Sequence, residues 1–431
     1  MRVLVVGAYG LIGTYVVARL LADGDEVVGA GRDIAAARRR MPAVRWVRAE
    51  LGRTSAADWV ALLAGVDGVV NCAGALQDSP RDDLRAVHVD GVRTLAEACR
   101  VAGVARFVHV SAAGVAEGRP TPFNRTKLEA EAMLQSAPLD WIILRPGVVL
   151  APAAYGGTAL LRGLAGFPFV LPVVHAASIV QVVSVEDVAA AAVRALASDA
   201  PTRIAVDLVH GERHRIADIA REMRRWLGIA EAPVLALPAA VARATAMVGD
   251  ALAWLGWRSP MRSAALAQVR LGVTGDSDAA RRLLGLELRS LRATLDRWPA
   301  GVQERWFARA YFLKPAMLAT LSVFWFLSGA IGLCASRPAA VSILADAGIA
   351  AHWSEGAVVA GALADIGLAV AVAFRNVAGR ALQGMLLVSL AYLAGGTLLR
   401  PDLWLDPLGP FLKVIPAAVL ALAALALLDE R

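Results

Sequence analysis

Residues Val3 to Gly13 read VLVVGAYGLIG, and the reading of this stretch decides the fold. A β-rich run, Val3-Leu4-Val5-Val6, stops at Gly7. Gly10 and Gly13 follow at spacings of three, and an apolar helix-like run continues through Leu21. Strand, glycine turn and helix start, in that order, suit a dinucleotide pyrophosphate. The glycines let the backbone turn tightly and approach the phosphates, and the helix N-terminus offers partial positive charge. The place of the pattern, after a strand and before a helix, gives it the context that a chance set of glycines lacks.

Outward from the turn, short β-rich segments alternate with helical ones. Strands are expected at Glu26–Ala30, Val44–Arg48, Gly68–Asn71, Arg106–Val110 and Trp141–Leu144. Helices fall between them, one from Arg81 to Val101 and one carrying Phe123 to Gln135. This alternation predicts an α/β fold with a doubly wound parallel (Rossmann) sheet, whose ligands bind at the carboxyl ends of the strands. Residues 150–300 are less regular. Strands are expected at Val180–Val183 and Ile204–Val209, and Ser184 caps an alanine-rich helix. The expected organisation is a dinucleotide domain with a small lid over residues 1–230 and a helical, Arg-rich linker over 231–313.

The last part, 314–431, is different in kind. Four apolar runs, Ala316–Ser336, Ala357–Phe374, Ala381–Leu399 and Leu408–Leu428, predict a C-terminal all-α bundle of four transmembrane helices. Arg305, Arg309 and Lys314 precede the first run, and Arg375 and Arg380 sit between the second and third. The other loops mix Arg337 and Arg400 with Asp346, Glu355, Asp402 and Asp406. By the positive-inside rule this predicts a multi-pass inner-membrane protein with the dinucleotide domain and both termini in the cytoplasm. Met1 leads straight into a strand, so no signal peptide is expected. Asp365, inside the second run, is costly in a membrane and therefore a functional candidate.

The whole chain has 431 residues, 58% of them hydrophobic, and a formal net charge of +7. The basic residues are scattered and no basic stretch is interleaved with aromatics, so nucleic acid is not an expected partner. Three cysteines far apart in sequence and histidines without ligand spacing predict neither a disulfide framework nor a metal site. Of 44 basic residues only Lys127, Lys314 and Lys413 are lysine. Lys127 is thus the single lysine of the first 313 residues, where a compact ammonium suits ribose hydroxyls better than a broad guanidinium.

These residues resemble the extended and atypical short-chain dehydrogenases/reductases over roughly residues 1–230. Gly7-Ala8-Tyr9-Gly10-Leu11-Ile12-Gly13 is similar to their glycine turn and Asn71-Cys72-Ala73-Gly74 to their fourth-strand motif. Val108-His109-Val110-Ser111 is similar to their fifth strand, Arg145-Pro146-Gly147 to the segment along the nicotinamide, and Val182–Ala189 to a downstream element. Within the family the chain looks nearest the atypical branch that includes the NADPH-binding accessory subunit of respiratory complex I. The tail resembles the DoxX-like membrane domain.

The resemblance implies cofactor contacts by Gly7, Tyr9, Gly10, Leu11, Ile12, Gly13, Arg32, Glu50, Leu51, Ala73, Gly74, Lys127, Pro146 and Gly147. Arg32, placed directly after the second strand, implies NADP, with NAD the alternative. Catalytic members pair a tyrosine with a lysine four residues on; here the pair reads Phe123 and Lys127. Phenylalanine transfers no proton. The position of the family's helper hydroxyl is Ala112, which leaves Ser111 and Lys127 as the catalytic candidates, with Tyr155 as a replacement phenol. Two functions are therefore expected in competition. One is hydride transfer to a small or lipid-soluble, membrane-delivered acceptor such as a quinone. The other is a non-catalytic NADP(H) sensor or assembly subunit of a membrane complex.

Overall fold

The computed structural model describes residues 1–79, 82–117 and 120–428. It divides into two units, Met1–Asp250 with Ser259–Ala308, and Ala251–Arg258 with Arg309–Arg431.

In the first unit seven strands form one sheet: β1 (Arg2–Val6), β2 (Glu26–Gly31), β3 (Arg45–Arg48), β4 (Gly68–Asn71), β5 (Arg106–Val110), β6 (Trp141–Pro146) and β7 (Ile204–Leu208). Their order is β7-β6-β5-β4-β1-β2-β3, and every pairing is parallel. The order reverses between β1 and β4, which opens a crevice at their carboxyl ends. Both faces of β1 are buried. Val3 and Val5 pack with Val16, Val17 and Leu20 of α1 (Leu11–Ala22), whereas Leu4 and Val6 pack with Val92 and Leu95 of α2 (Gly91–Ala102). This is why the first strand is an unbroken apolar run. Helix α3 (Pro122–Ser136) adds Leu134 to the α2 side, and α4 (Val185–Leu196) adds Val188, Ala191 and Ala195 to the α1 side. A π-helical turn, Ala86–Asp90, leads into α2; the expected helix start at Arg81 lies outside the described residues.

The strand expected at Val180–Val183 is two strands that part at Gln181. Ile179–Val180 runs antiparallel to His214–Arg215, and Val182–Ser184 runs parallel to Val148–Leu150. The Gln181 backbone bridges different neighbours, its N–H donating to Val273 and its carbonyl accepting from Val148. Around this crossover a separate core gathers Leu171, Val173, Ile216, Ile219, Met223, Leu291 and Leu295. Helix α5 (Ala239–Trp254) follows.

The second unit holds α6 (Leu313–Cys334), α7 (Ala351–Ala373), α8 (Ala378–Leu399) and α9 (Pro410–Ala426). Among the described residues, α6, α7 and α8 are long and apolar enough to cross a membrane. The fourth expected span is shorter, a 17-residue helix with Pro416 inside it. Gly409 in the left-handed region at φ 55° and Pro410 after it fix its start. Helices α6 and α7 approach closely at small residues: a Cβ on Gly329 would lie 2.4 Å from the Ala362 carbonyl. In the same seam Ser322 Oγ donates to the Ala369 carbonyl and Ser328 Oγ to Asp365 Oδ2, each at 2.9 Å. At one end of this unit Lys314 and Arg375 both donate to the Leu428 carbonyl, at 3.3 and 3.1 Å. At the other end Arg337 pairs with Glu355 and Arg400 with Asp402.

Candidate cofactor site

The glycine positions of the turn after β1 have no room for a side chain. Gly7 has φ +74°, and a Cβ there would lie 2.9 Å from the Ala73 backbone. A Cβ on Gly10 would come within 3.1 Å of the Gly7 carbonyl oxygen, and one on Gly13 within 2.2 Å. Gly10 is the N-cap of α1 and contributes no side-chain cap, and the first turn holds no acid. The helix therefore presents backbone N–H groups and its positive end with nothing anionic built against them. A pyrophosphate fits this cradle. Leu11 and Ile12 are half-buried, and Ile12 packs on the core below.

At the neighbouring strand end, the Tyr9 ring lies so close to Gly31 that a Cβ would meet Cε1 at 2.2 Å. The Tyr9 hydroxyl accepts from the backbone N–H groups of Arg32 (3.0 Å) and Asp33 (3.2 Å). Asp33, the acid beside Arg32, is engaged in capping: its Oδ1 accepts from Ala36 N at 3.0 Å. The Arg32 guanidinium lies 2.7 Å from Asp82 and 3.6 Å from Glu50, and Arg53 lies 3.6 Å from the other Glu50 oxygen. Arg32, Arg48, Glu50, Arg53 and Asp58 line a cavity of about 550 Å³. Leu51 is turned away into the α2-side core.

At the ends of β4, β5 and β6 the polar groups are deeply buried. Lys127 on α3 is 4% exposed, and its Nζ donates to the Val110 carbonyl at 2.9 Å. A Cβ on Gly74 would sit 3.5 Å from that Nζ and equally far from His88 Nε2. Burial lowers the Lys127 pKa from 10.5 to about 8, against the opposing pull of the Glu131 carboxylate. His88 is held neutral, its pKa lowered to about 2 by burial and then by the Lys127 charge. Its Nε2 accepts from Ala75 N (3.1 Å), so the ring proton is on Nδ1 and points to Thr126 Oγ1 (2.8 Å). Phe123, at the position of the missing tyrosine, packs edge-on against His88 with centroids 5.7 Å apart.

Glu131, one helical turn beyond Lys127, is 1% exposed. It accepts from Ser111 Oγ and from the Arg145 fork, Nε lying 3.1 Å from both carboxylate oxygens. The Ser111 hydroxyl hydrogen is thus directed at Glu131. Arg145 also reaches Asp207 at 3.7 Å. Ala73 N donates to Asn71 Oδ1 (3.1 Å), which orders the β4 end. The Pro146 carbonyl accepts from Ala113 N (2.9 Å), and Gly147 is packed so tightly that a Cβ would lie 2.5 Å from the Gln181 carbonyl. Tyr155 is on the surface at the start of the helix Gly156–Ala165.

Against known families, residues 7–199 match the NAD(P)H-binding family and residues 322–422 match the DoxX-like family. The chain thus joins an NAD(P)H-binding Rossmann domain to a C-terminal DoxX-like domain. A sterol demethylase protein B from Methylococcus capsulatus is 29% identical over 333 residues, which cover 71% of this chain and 99% of that one. A ceramide reductase from Caulobacter vibrioides is 30% identical over 197 residues, covering 44% of this chain and only 58% of the relative's length. Among solved structures, an NADPH-dependent quinone oxidoreductase from Escherichia coli superposes with a TM-score of 0.52 at 20% identity, over 68% of this chain and 98% of that one. At that identity it shows the shared fold.

Several site groups escaped the sequence reading. Glu131 reads as an ordinary helix acid, although its spacing of four from Lys127 places both on one face. Arg145 was legible only as a neighbour of Pro146. His88 and His109, which lack metal-ligand spacing in the sequence, are buried, and His109 Nδ1 faces Asn71 Nδ2 at 3.1 Å.

Proposed function

We propose that this protein is a membrane-bound NAD(P)H-dependent reductase of a lipid-soluble carbonyl or quinone-type acceptor, with NADPH preferred. The observation that carries the reading is the buried Lys127 ammonium beside an intact pyrophosphate turn, on a chain that also holds membrane-length helices. Two relatives named for ceramide and sterol chemistry support a lipid substrate. When bound, the nicotinamide cofactor supplies a hydride. Gly7, Gly10 and Gly13 would hold its pyrophosphate, Tyr9, Arg32 and Glu50 its adenosine end, and Ala73, Gly74, Lys127, Pro146 and Gly147 its nicotinamide end. With no phenol at Phe123, Lys127 is the acid available for a developing alkoxide, since its pKa of about 8 lets it give up a proton near neutrality. Glu131 sustains the charged form, and Ser111 serves as a positioning residue through it. The basic end of the second unit, with Lys314, Arg375 and Arg380, supports placing the Rossmann domain and both termini in the cytoplasm, on the inner membrane. The test is NADPH oxidation by the full-length protein in proteoliposomes, with long-chain keto lipids, sterol ketones and quinones against water-soluble aldehydes. Turnover confined to the lipid acceptors is expected. NADPH binding without oxidation in any lane would favour the second reading, a nucleotide sensor or assembly subunit, which Phe123 supports.

Two variants probe the cofactor directly. Arg32→Ala should weaken NADPH about tenfold or more, the scale of a charge-assisted hydrogen bond at roughly 1.5–3 kcal/mol, and leave NADH nearly unchanged. Fluorescence titration of both nucleotides reads it. Lys127 also imposes a pH signature on stability. Its folded pKa of about 8 lies below the ordinary lysine value of 10.5, so the unfolded chain binds more protons between those values. The cost of burying the ammonium is fully present below pH 8 and is relieved as pH rises. Relative to Lys127→Met, the natural protein should therefore gain on the order of 3 kcal/mol from pH 8 to 10.5. Parallel denaturant unfolding across that range measures the difference.

A further inference from the structure

Helix α5 carries its side chains the reverse of a water-soluble helix. Its buried face is made of small residues, Ala242, Ala246, Gly249 and Ala253. Gly249 packs so closely that a Cβ would lie 2.2 Å from the Met261 carbonyl. The opposite face exposes the large ones, Val241 and Val248, Met247 at 70% and Trp254 at 79%, with the exposed Arg243 and Thr245 along its two borders. Val241, Ala244, Val248 and Ala251 recur at helical spacing, and from Val241 to Trp254 the stripe runs about 20 Å at 1.5 Å per residue. A helix whose solvent were water would bury the valines, methionine and tryptophan and expose the alanines.

What covers the stripe is indicated by where the helix leads. Its last residues belong to the second unit, which includes Ala251–Arg258. There the Leu255 carbonyl accepts from Arg375 N at 3.0 Å, and Trp257 Nε1 donates to the Ala373 carbonyl at 2.7 Å. The Arg375 guanidinium lies 5.6 Å over the Trp257 ring. Ala373 is the last residue of α7, and Lys314, Arg375 and Arg380 collect at that end. Indoles and basic side chains at the end of an apolar helix are the anchors of a membrane–water boundary. The last turn of α5, Ala251–Trp254, therefore belongs to that boundary, with Trp254 exposed.

We propose that α5 is an interfacial helix, lying among the lipid headgroups of the membrane that α6–α8 cross, with Val241, Met247, Val248 and Trp254 sunk into the acyl-chain border. The occupant of the stripe is lipid of that leaflet. The claim stands whether or not the reductase reading holds. The inner side of α5 is tied to the β4 end of the first unit: Asp250 accepts from Gln77 Nε2 (3.1 Å), three residues after Gly74, and from Arg262 Nε (3.2 Å).

Depth-dependent quenching on the full chain in phosphatidylcholine–phosphatidylglycerol vesicles tests the proposal. A fluorophore on Val248→Cys, in a Cys334→Ser background, is exposed in turn to lipids with a doxyl group on an upper acyl carbon and to aqueous iodide. Arg100→Cys, on the exposed side of α2, is the control, and the unmutated background corrects for Cys72 and Cys99. The Val248 probe is expected to be quenched several-fold more by doxyl lipid than the control, and to be shielded from iodide. Quenching by iodide without doxyl quenching would overturn the proposal by placing the face in water. Shielding from both would overturn it equally, by showing a protein cover such as a second copy. Trp254→Cys, in the same stripe, repeats the measurement should the first variant fold poorly.

Discussion

Replacing Gly13 by alanine is expected to abolish nucleotide binding while leaving the second unit in place. The new Cβ would lie 2.2 Å from the Gly7 carbonyl oxygen, 2.9 Å from Ala8 Cα and 3.0 Å from the Gly7 carbonyl carbon. All three are backbone atoms at the point where β1 turns into α1, so no side chain can swing aside. The turn must open, and with it goes the alignment of the Gly10 N-cap and of the N–H groups that would hold a pyrophosphate. Affinity for NADPH should fall by at least about 100-fold, or about 2.8 kcal/mol. Isothermal titration with the natural protein and Gly13→Ala side by side measures this. Gly24→Ala is a useful contrast. A Cβ there meets nothing within 4 Å, so its only penalty is the φ of +85°, away from the cofactor turn. Retained affinity in Gly13→Ala would mean that nucleotide does not use this turn.

Glu131→Ala is expected to be the most destabilising single change in the first unit. The carboxylate is buried and serves three groups: Lys127 through its charge, Ser111 through one hydrogen bond and Arg145 through a two-pronged contact. Arg145 would keep only Asp207 at 3.7 Å. Breaking a buried ion pair by removing one partner leaves the other charge desolvated and costs about 3–5 kcal/mol. In a unit of this size that corresponds to a fall in Tm of roughly 10 °C. Glu131→Gln separates stability from chemistry, because the amide still accepts from Ser111 yet carries no charge. Without the attraction that opposes burial, the Lys127 ammonium becomes easier to deprotonate, so any rate limb governed by Lys127 should move to lower pH. An unmoved pH profile would show that Lys127 and Glu131 are not coupled in the reacting protein.

The parts of this molecule that sequence reveals are those where local pattern and tertiary role coincide. The turn from Gly7 to Gly13 declares itself because backbone crowding permits only glycine at fixed spacings. The central strands β1 and β4 declare themselves because a parallel sheet buries both faces and so writes short, largely apolar runs, whereas the edge strand β3, Arg45-Trp46-Val47-Arg48, shows only a buried centre. Lys127 stood out because the rest of the first 313 residues uses arginine. What stayed hidden depends on long-range pairing. The Glu131 partners lie 20 residues before it and 14 after it, at Ser111 and Arg145, and neither spacing carries a local signature. The break at Gln181 has the same origin, since a change of strand partner leaves the run of valines intact. Helix α5 was folded into a generic helical region because an apolar stripe has one period whether protein or lipid covers it. The fourth apolar run is longer than the 17-residue α9, because Gly409 and Pro410 set where the helix begins and hydropathy does not register them.

The central claim, that Lys127 and the glycine turn serve hydride transfer to a lipid-soluble acceptor, is tested most directly by isotope. Full-length protein in proteoliposomes, supplied with NADPH deuterated at both nicotinamide C4 positions and a panel of keto lipids, should yield a hydroxy lipid carrying one deuterium at the former carbonyl carbon. Lys127→Met should abolish that label, and Arg32→Ala should restore it only at higher NADPH. A protein that binds NADPH yet transfers no deuterium to any lipid acceptor would contradict the account and leave a nucleotide-sensing membrane subunit in its place.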